Sequence, residues 1–376
     1  MDAVTYQQIR TLPFPNADDV AVFTPNSDGS VVVGFSYDSY DDDEYQFYFF
    51  TDVLPEPSIE IELGKISDMV AGSDPENVYA IDEDNAVLYR ISTTTQQIAE
   101  TIPLPYAQPA AMDYSAIDHK LYIVSKFSGE VAVYDTTTKE ISSILYSAVN
   151  YGRDIAVAPN LRRIYILSPN GYNSYLTVLD MDGGPILETS VGGSSIVFGV
   201  VGEPENPETQ EPTIFTANNG ISPATIYKYS VAGDVISEVQ ILRTGGNGRK
   251  ITISPDNRHV VLPCGGGNGA GYTIYDFDPI DLENYFGEWD VGAYPMAAAF
   301  SPDSNLFYGT NGSAYDNYLY IMDAATYAQI RKLEYPNADR FAVFTPNSDG
   351  TMVVGFSYDT YTNSDYSLYF FSDIGP

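Results

Sequence analysis

The sequence predicts an all-β protein, a β-propeller made of repeated four-stranded sheets, and three observations support this prediction. A motif made of an apolar run, a small residue, Pro, and Asp or Asn recurs at intervals of about 40 to 52 residues, the length of one propeller blade. Each copy precedes three further short runs that are rich in aromatic and β-branched residues and separated by turn residues. No segment has the sustained apolar periodicity of a helix.

The motif marks the first strand of each predicted blade, strand A, which should line the central channel. Its apolar run is nearly continuous because both faces of an inner strand are buried. The clear copies contain Pro25, Pro75, Pro159, Pro255, Pro302 and Pro346, and two degenerate copies lie around Ser115 and Gly202. We therefore predict eight blades, with approximate bounds 15–64, 65–105, 106–148, 149–192, 193–245, 246–292, 293–336 and 337–376.

The later runs of each repeat read as strands B, C and D, from the channel outwards. Strand C usually ends in Asp or Ser, and a short polar side chain there can start a turn by accepting from backbone N–H groups. The positions are Asp52, Ser92, Asp135, Asp180, Ser230, Asp276, Asp323 and Asp373. Strand D alternates apolar and polar residues, as an outer edge strand should.

The two ends of the chain carry nearly the same repeat. Asp2 to Asp52 aligns with Asp323 to Asp373 without a gap, with 34 of 51 positions identical. Strand 4–13 reads as a D strand, whereas the last repeat ends with its C strand. We therefore expect one domain, 1–376, in which strand 4–13 joins the C-terminal blade and closes an eight-bladed ring.

Seven blades are the alternative. The offset of 321 between the twin repeats is also seven units of about 46 residues. In that case the repeated unit is surplus to the ring, or belongs to a neighbouring propeller in a longer tandem protein.

The repeats resemble the YVTN-type, surface-layer-like family of propeller repeats. The resemblance is clearest in IAVAPNLRRIYILSPNGYNSYLTVLDMDGGPILETSVG (155–192) and in AAAFSPDSNLFYGTNGSAYDNYLYIMDAATYAQIRKLEYP (297–336). It implies a propeller with an extracellular or cell-surface role and specifies no ligand. The chain departs from the family in having Tyr, Asp and Asn in place of many Lys and Gly residues.

The composition excludes several classes of partner and site. The net charge of -34 repels phosphate backbones and anionic headgroups, so we expect neither nucleic acid binding nor membrane insertion. Cys264 is the only cysteine, which rules out an intrachain disulfide and a Cys-rich metal site. Met1 aligns with Met322 and is followed at once by a repeat, with no signal peptide, so the sequence starts mid-pattern and we expect it to be part of a larger chain. We also expect the ring to be monomeric.

The candidate residues lie on two different faces of the predicted ring. The D–A and B–C loops share one face, which carries most binding sites in propellers by analogy of fold. His119 and His259 fall at A–B turns on the other face, so we expect two exposed turn histidines and no catalytic residue.

Charged residues enter the A strands at the mouth of the channel and form the first candidate binding site. They are Asp18, Asp19, Asp68, Arg153, Asp154, Arg249, Lys250, Asp339 and Arg340. The candidate ligand-binding residues among them are Asp19, Asp68, Arg153, Asp154, Arg249 and Arg340. Arginines and carboxylates there can bind an anionic or polar small ligand, or they can pair with one another to satisfy buried charge. Both interpretations stay open on the sequence alone.

The B–C loops form the second candidate site, because they carry tyrosines beside Asn, Gly and Asp. Tyrosine can stack on a sugar ring or fill a protein interface, although many tyrosines must also pack between blades. The candidates are Tyr40, Tyr45, Tyr172, Tyr315 and Tyr361. Asp41, Asp42 and Asp43 form an acidic B–C loop that is either solvated or a calcium site, and no other cofactor is expected.

These observations favour a non-catalytic extracellular or cell-surface propeller that recognises a protein or carbohydrate ligand through the D–A/B–C face. One alternative is a lactonase-like hydrolase or isomerase that acts at the channel mouth on a small acid. Another is a spacer module in a larger tandem-repeat surface protein. The sequence leaves the three open.

Overall fold

The computed structural model describes most of the chain, in two compact units, Met1–Glu62 and Leu63–Pro376. The described residues are 20–25, 32–38, 44–50, 63–146, 152–170, 173–203, 206–266, 273–312, 317–338, 341–358, 366–372 and 374. Within the described part, no helix is long and apolar enough to span a membrane. The expectation that 1–376 is a single domain stays a prediction.

The N-terminal unit contains one antiparallel sheet of three described strands. They are β1 (Val20–Pro25), β2 (Val32–Asp38) and β3 (Glu44–Phe50), in the order β1-β2-β3. This is the A-B-C order that the repeat predicts, since each strand pairs with the next along the chain.

The second unit begins with four antiparallel sheets, each with four strands in sequential order. Blade 1 contains β4 (Ile66–Ala71), β5 (Asn77–Asp82), β6 (Val87–Ser92) and β7 (Gln97–Pro103). Blade 2 contains β8 (Pro109–Ser115), β9 (Lys120–Ser125), β10 (Glu130–Asp135) and β11 (Ile141–Leu145). Blade 3 contains β12 (Asp154–Ala158), β13 (Arg163–Asn170), β14 (Asn173–Asp180) and β15 (Pro185–Val191). Blade 4 contains β16 (Ser195–Val201), β17 (Glu211–Ala217), β18 (Ala224–Ala232) and β19 (Val235–Thr244).

Three further sheets complete the second unit. Blade 5 contains β20 (Thr252–Ile253), β21 (Val260–Cys264), β22 (Thr273–Phe277) and β23 (Tyr285–Trp289). Blade 6 contains β24 (Pro295–Phe300), β25 (Leu306–Asn311), β26 (Tyr318–Asp323) and β27 (Gln329–Glu334). Blade 7 contains β28 (Ala342–Pro346), β29 (Val353–Tyr358) and β30 (Tyr366–Phe371). The described helical residues form only two 3₁₀ turns, Pro159–Leu161 and Pro207–Thr209.

Seven apolar clusters join neighbouring blades, and together they close the ring. The closing cluster places Met352, Val354 and Phe356 of blade 7 against Ile66 and Val78 of blade 1. The inner strands β28 and β4 are in contact accordingly. Burial of the apolar faces between blades is the main driving force for a fold of this type.

The prediction of eight blades is therefore wrong, and the alternative of seven is the observed one. The physical reason is that blade 7 packs directly on blade 1, so the ring is complete without an eighth sheet. The twin repeats have almost the same apolar pattern, and the pattern alone does not say which copy occupies the ring. Strand 4–13, which was expected to close the ring, lies outside the described residues.

The outer strand β19 and the inner strand β12 have the burial patterns that the sequence predicts, whereas the inner strands β20 and β24 are half-buried along much of their length. Exposed and partly buried residues alternate along β19, as in an edge strand with one face on the core. The inner strand β12 is buried along its whole length. Tyrosines occupy the third position of strand B in four blades and are buried between neighbouring sheets: Tyr79, Tyr122, Tyr165 and Tyr308.

Candidate functional site: the channel of the ring

The inner strands surround a channel that contains a cavity of about 420 Å³. All seven blades contribute to its wall, which is mainly apolar. Three charged side chains interrupt that wall: Asp68 on β4, Asp113 on β8, and Lys250, which directly precedes Ile251 and β20.

Three carboxylates connect the inner strand of one blade to the inner strand of the next. In each case a backbone N–H of the next blade donates to the carboxylate. The bonds run from Met112 to Asp68 (3.1 Å), from Val157 to Asp113 (2.7 Å) and from Ile196 to Asp154 (2.9 Å). The aspartates therefore bridge blades 1 to 2, 2 to 3 and 3 to 4.

A serine continues this series of bridges in blade 4. The hydroxyl of Ser195 accepts from the backbone N–H of Ile251 in blade 5 at 3.2 Å. The second oxygens of all three aspartates are also engaged, because Asp68 accepts from Met69 N–H, Asp113 from Tyr114 N–H and Asp154 from Ile155 N–H. These polar side chains therefore satisfy backbone donors that burial would otherwise leave unpaired.

Lys250 lies across the channel from two of these carboxylates. Its Nζ is 2.9 Å from Oδ2 of Asp68 and 3.7 Å from Oδ1 of Asp154. Lys250 belongs to blade 5, whereas its partners belong to blades 1 and 3. About half of the lysine side chain is exposed to the channel, and both aspartates are almost fully buried. One ammonium thus ties together three non-adjacent blades.

Burial and charge determine the protonation of this cluster. Burial raises the pKa of Asp113 to about 6, although two backbone N–H groups and Lys250 oppose the shift. Burial also raises the pKa of Asp154, again against the charge of Lys250. Burial alone would lower the pKa of Lys250, but Asp154 and Asp68 outweigh it and raise that pKa, so the ammonium stays charged. Three acids and one cation favour a cationic or neutral polar ligand over an anion.

The predicted channel-mouth residues divide into three groups. Asp68 and Asp154 lie together and pair through Lys250, as the charge-pairing interpretation expects. Arg153 is exposed and Arg249 is partly buried, and neither forms an ion pair within the described residues. Burial lowers the pKa of Arg249, whose Nε has no hydrogen-bond partner in the described part. Asp19 and Arg340 lie outside the described residues.

Of the five tyrosines of the predicted loop site, Tyr45 alone lies within the described residues. Tyr45 lies inside β3 and therefore belongs to a strand, because that strand already begins at Glu44. Tyr40, Tyr172, Tyr315 and Tyr361 lie outside the described residues. The same holds for Asp41, Asp42 and Asp43, so calcium binding there stays a prediction. Among the residues that are described, no three His, Cys, Asp or Glu side chains form a metal-binding group.

Asp113 was not predicted, and Lys250 was predicted at the channel mouth but not among the candidate ligand-binding residues. Asp113 interrupts the apolar run PAAMDYS of strand A, and a single acid in an otherwise buried strand was the signal available. Lys250 stands beside Arg249 at the start of an inner strand, but its partners lie in blades far away along the chain. Only the ring geometry brings these groups together.

Solved structures of β-propellers are similar to this chain, whereas no protein family is identified for it. No protein-family model matches the chain, and no curated protein sequence matches it. A chain of hydrazine synthase from Kuenenia stuttgartiensis is similar in structure, with a TM-score of 0.60 and 13% identity over 86% of this chain and 99% of that chain. The WD40 β-propeller domain of Doa1 is similar with a TM-score of 0.59 and 13% identity, over 82% of this chain and 93% of that chain. At such identities the similarity supports the β-propeller fold alone.

Proposed function

We propose that the chain is a non-catalytic recognition module of the cell surface or extracellular space, which binds a protein or a glycan through its D–A/B–C loops. The resemblance to surface-layer-like repeats and the Tyr-rich B–C sequences support this proposal. So does the acidic composition, which keeps a surface protein soluble and away from nucleic acid.

The bridges across the inner strands are the observation that carries the proposal. Asp68, Asp113 and Asp154 each hold a backbone N–H of the next blade, and Lys250 cross-links two of them. Their role is to hold the ring together. A rigid ring is a suitable scaffold for loops that carry recognition residues.

A binding experiment with matched tyrosine variants tests this function. We expect the protein to bind on arrays of glycans and of extracellular proteins, and the Tyr172→Ser/Tyr315→Ser double variant to lose at least about tenfold in affinity, as for interface tyrosines in general. Tyr285→Ser is the control, because Tyr285 is half exposed on the outer strand β23. Absence of binding on both arrays would favour the spacer role, and unchanged binding by the double variant would exclude the loop face as the binding surface.

A thermal-shift measurement with Ca²⁺ and with EDTA tests the calcium prediction at Asp41 to Asp43. Calcium bound there should raise the melting temperature, and EDTA should reverse the increase.

A lactonase-like hydrolase acting at the channel mouth is the second candidate. Arg153 and Arg249 favour it, because neither guanidinium has an ion-pair partner within the described residues. In that case the protein hydrolyses members of a lactone panel, and Arg153→Ala/Arg249→Ala abolishes the acid release that a pH-stat measures. Absence of any hydrolysis by the wild-type protein would exclude this candidate.

A further inference from the structure

Blade 5 differs from its neighbours at one pair of facing positions. The buried tyrosine that four other blades carry in strand B is replaced by Val261, and the residue opposite it in strand C is Asp276. In blades 2, 3 and 6 the residues opposite that tyrosine are apolar: Val133, Val178 and Ile321. Blade 5 thus buries a carboxylate where those blades bury a methyl-bearing side chain.

Asp276 connects two blades through its Oδ2 atom. Nδ1 of His259 lies 2.8 Å from Oδ2, and the hydroxyl of Tyr327, on the C–D turn of blade 6, donates to the same oxygen at 2.8 Å. The aspartate side chain is completely buried, and its Oδ1 has no partner in the described part. The turn-starting role expected of Asp276 belongs to Asp278, which accepts from Ile280 N–H at 2.8 Å.

The expectation of two exposed turn histidines therefore holds for His119 only. His119 is exposed and contacts the hydroxyls of Ser73 and Tyr114. The side chain of His259 is only 18% exposed, and its ring lies 5.9 Å from Phe286 and 5.8 Å from Phe300 between ring centroids. Since Nδ1 is bonded to Asp276, Nε2 is the ring nitrogen that remains for a ligand.

A cavity of about 570 Å³ lies beside this group, on the A–B/C–D face of blades 4, 5 and 6. Its apolar wall includes Ile280, Phe286 and Tyr327, and the first two are 42% and 47% exposed. Large apolar side chains in an open cavity of this size are typical of small-ligand sites.

The polar groups of the cavity favour a ligand that carries a single negative charge. Arg258 and His259 both line it, and the Arg258 side chain is 59% exposed, 3.8 Å from Asp256. Burial alone would lower the pKa of His259, but the hydrogen bond and charge of Asp276, with a smaller effect of Asp256, raise it in spite of Arg258. A protonated His259 presents Nε2–H as a donor.

The two acids at the cavity restrict the ligand further. Asp278 is engaged in its turn with Ile280 and Asn284. Glu203 is an exposed acid of the lining, and it repels ligands with several negative charges. A polyanion is therefore disfavoured, whereas one carboxylate joined to an apolar group matches both the cations and the wall.

We propose that this cavity binds a carboxylate attached to a large apolar group, which either the C-terminal residue of a peptide or a free acid can supply. The carboxylate accepts from Nε2 of His259 and from Arg258, and the apolar side chain packs on Ile280, Phe286 and Tyr327. The site lies on the face opposite to the D–A/B–C loops, so it is independent of the function proposed above and either can fail alone.

Proton NMR of the two histidines tests the proposal directly. The probes are N-acetyl-glycyl-phenylalanine, its C-terminal amide, and 3-phenylpropionate as a free acid. We expect the peptide acid to shift the His259 ring signals saturably and leave those of His119 unchanged, and to bind more weakly as pH rises through the pKa of His259. The amide should bind at least about tenfold more weakly, because it lacks the charge-assisted hydrogen bonds.

Two variants and one control complete the experiment. His259→Asn and Phe286→Ala should each weaken the peptide acid about tenfold or more, and His119→Asn should leave it unchanged. Phe286 is half exposed, so its replacement does not depend on the core of the blade. An absent His259 shift, equal binding of acid and amide, or an unchanged affinity in Phe286→Ala would overturn the site. Tighter binding of the peptide acid assigns a peptide C-terminus as the source, tighter binding of the free acid assigns a small acid, and binding of neither would overturn the site.

Discussion

Buried tyrosine hydroxyls separate into satisfied and unsatisfied groups. The hydroxyl of Tyr335 donates its single proton to the carbonyl of Phe356 at 2.8 Å and shares it with the carbonyl of Val343 at 3.0 Å, and so ties blade 6 to blade 7. The hydroxyl of Tyr165 is buried and has no hydrogen-bond partner in the described part of the chain. A buried polar group without a partner costs stability, whereas a paired one contributes to it.

We predict opposite effects when these two hydroxyls are removed. Tyr165→Phe should raise the free energy of unfolding by about 1 kcal/mol, since it removes an unpaired buried hydroxyl. Tyr335→Phe should lower it by about 1–2 kcal/mol, since the carbonyls of Phe356 and Val343 lose the one donor that they share. Urea unfolding of both variants and the wild type measures the difference. Destabilisation of the same size in both would contradict the assignment.

The contribution of Lys250 to stability should depend on pH, because Lys250 offsets the cost of ionising the buried Asp113. The folded-state pKa of Asp113, about 6, is above its ordinary value of 3.8. Ionisation of Asp113 therefore costs stability as pH rises through that range, and Lys250 offsets part of the cost. Lys250→Met should lose about 1–3 kcal/mol at pH 7.5, a value reduced by the water that screens this half-exposed side chain, and less at pH 5.

Urea unfolding at the two pH values measures this effect. Lys139→Met is the control, because Lys139 is exposed on a turn of blade 2 and should change stability little at either pH. A loss for Lys250→Met that is equal at pH 5 and pH 7.5 would show that Asp113 is not coupled to the lysine.

At the scale of strands, the aspartate bridges make the inner strands of neighbouring blades dependent on one another. Asp154 accepts from Ile155 within β12 and from Ile196 on β16. We predict that Asp154→Ala lowers the free energy of unfolding by about 2–3 kcal/mol, because two buried N–H groups lose their acceptor. Hydrogen exchange should become faster at the amides of Ile155 and Ile196.

An exposed aspartate of the same blade provides the matched control. Asp182 is 84% exposed, and among the described residues its ion-pair partner is the exposed Arg162. Asp182→Ala should leave stability and both exchange rates unchanged, because an exposed pair contributes little. Unchanged exchange at Ile196 in Asp154→Ala would show that the bridge does not hold the two blades together.

The strands were predictable because their signals are local. Apolar runs, alternation in strand D and the turn residues are each visible within about ten residues of sequence, and the strand order follows from short connections. Asp276 shows where such local signals fail. It was assigned as a turn starter because it ends the apolar run TIYD, but Asp278 starts the turn and Asp276 faces His259 across the sheet.

The channel was only partly predictable. Asp68 and Asp154 were expected at the mouth from their position before an inner strand, and they do lie together there. The ion pairs of Lys250 with Asp68 and Asp154 depend on which blades face one another across the ring, and that follows from the number of blades. The number itself was misjudged, since the 321-residue offset fits an eight-bladed ring and a seven-bladed ring with a surplus repeat equally well.

At the scale of the whole molecule, the central claim is that blade 7 closes directly on blade 1. Besides the apolar cluster, the A–B turns of the two blades are hydrogen bonded to each other. The Ser348 hydroxyl donates to the Ser73 carbonyl at 3.3 Å, and the Asn347 side chain donates to the Pro75 carbonyl at 3.1 Å. In an eight-bladed ring, a complete blade would separate these two turns.

Cross-linking across this seam tests the claim most directly. Cysteines at positions 73 and 348 (Ser73→Cys/Ser348→Cys) should be joined by a short bis-maleimide, which peptide mass spectrometry detects. Cys264 should not react, because it is buried and burial raises its pKa to about 12. Ser27 is the twin of Ser348 in the N-terminal repeat. An eight-bladed ring would instead join Ser27→Cys to both Ser73→Cys and Ser348→Cys and leave the pair at 73 and 348 unlinked, and that result would contradict the seven-bladed ring.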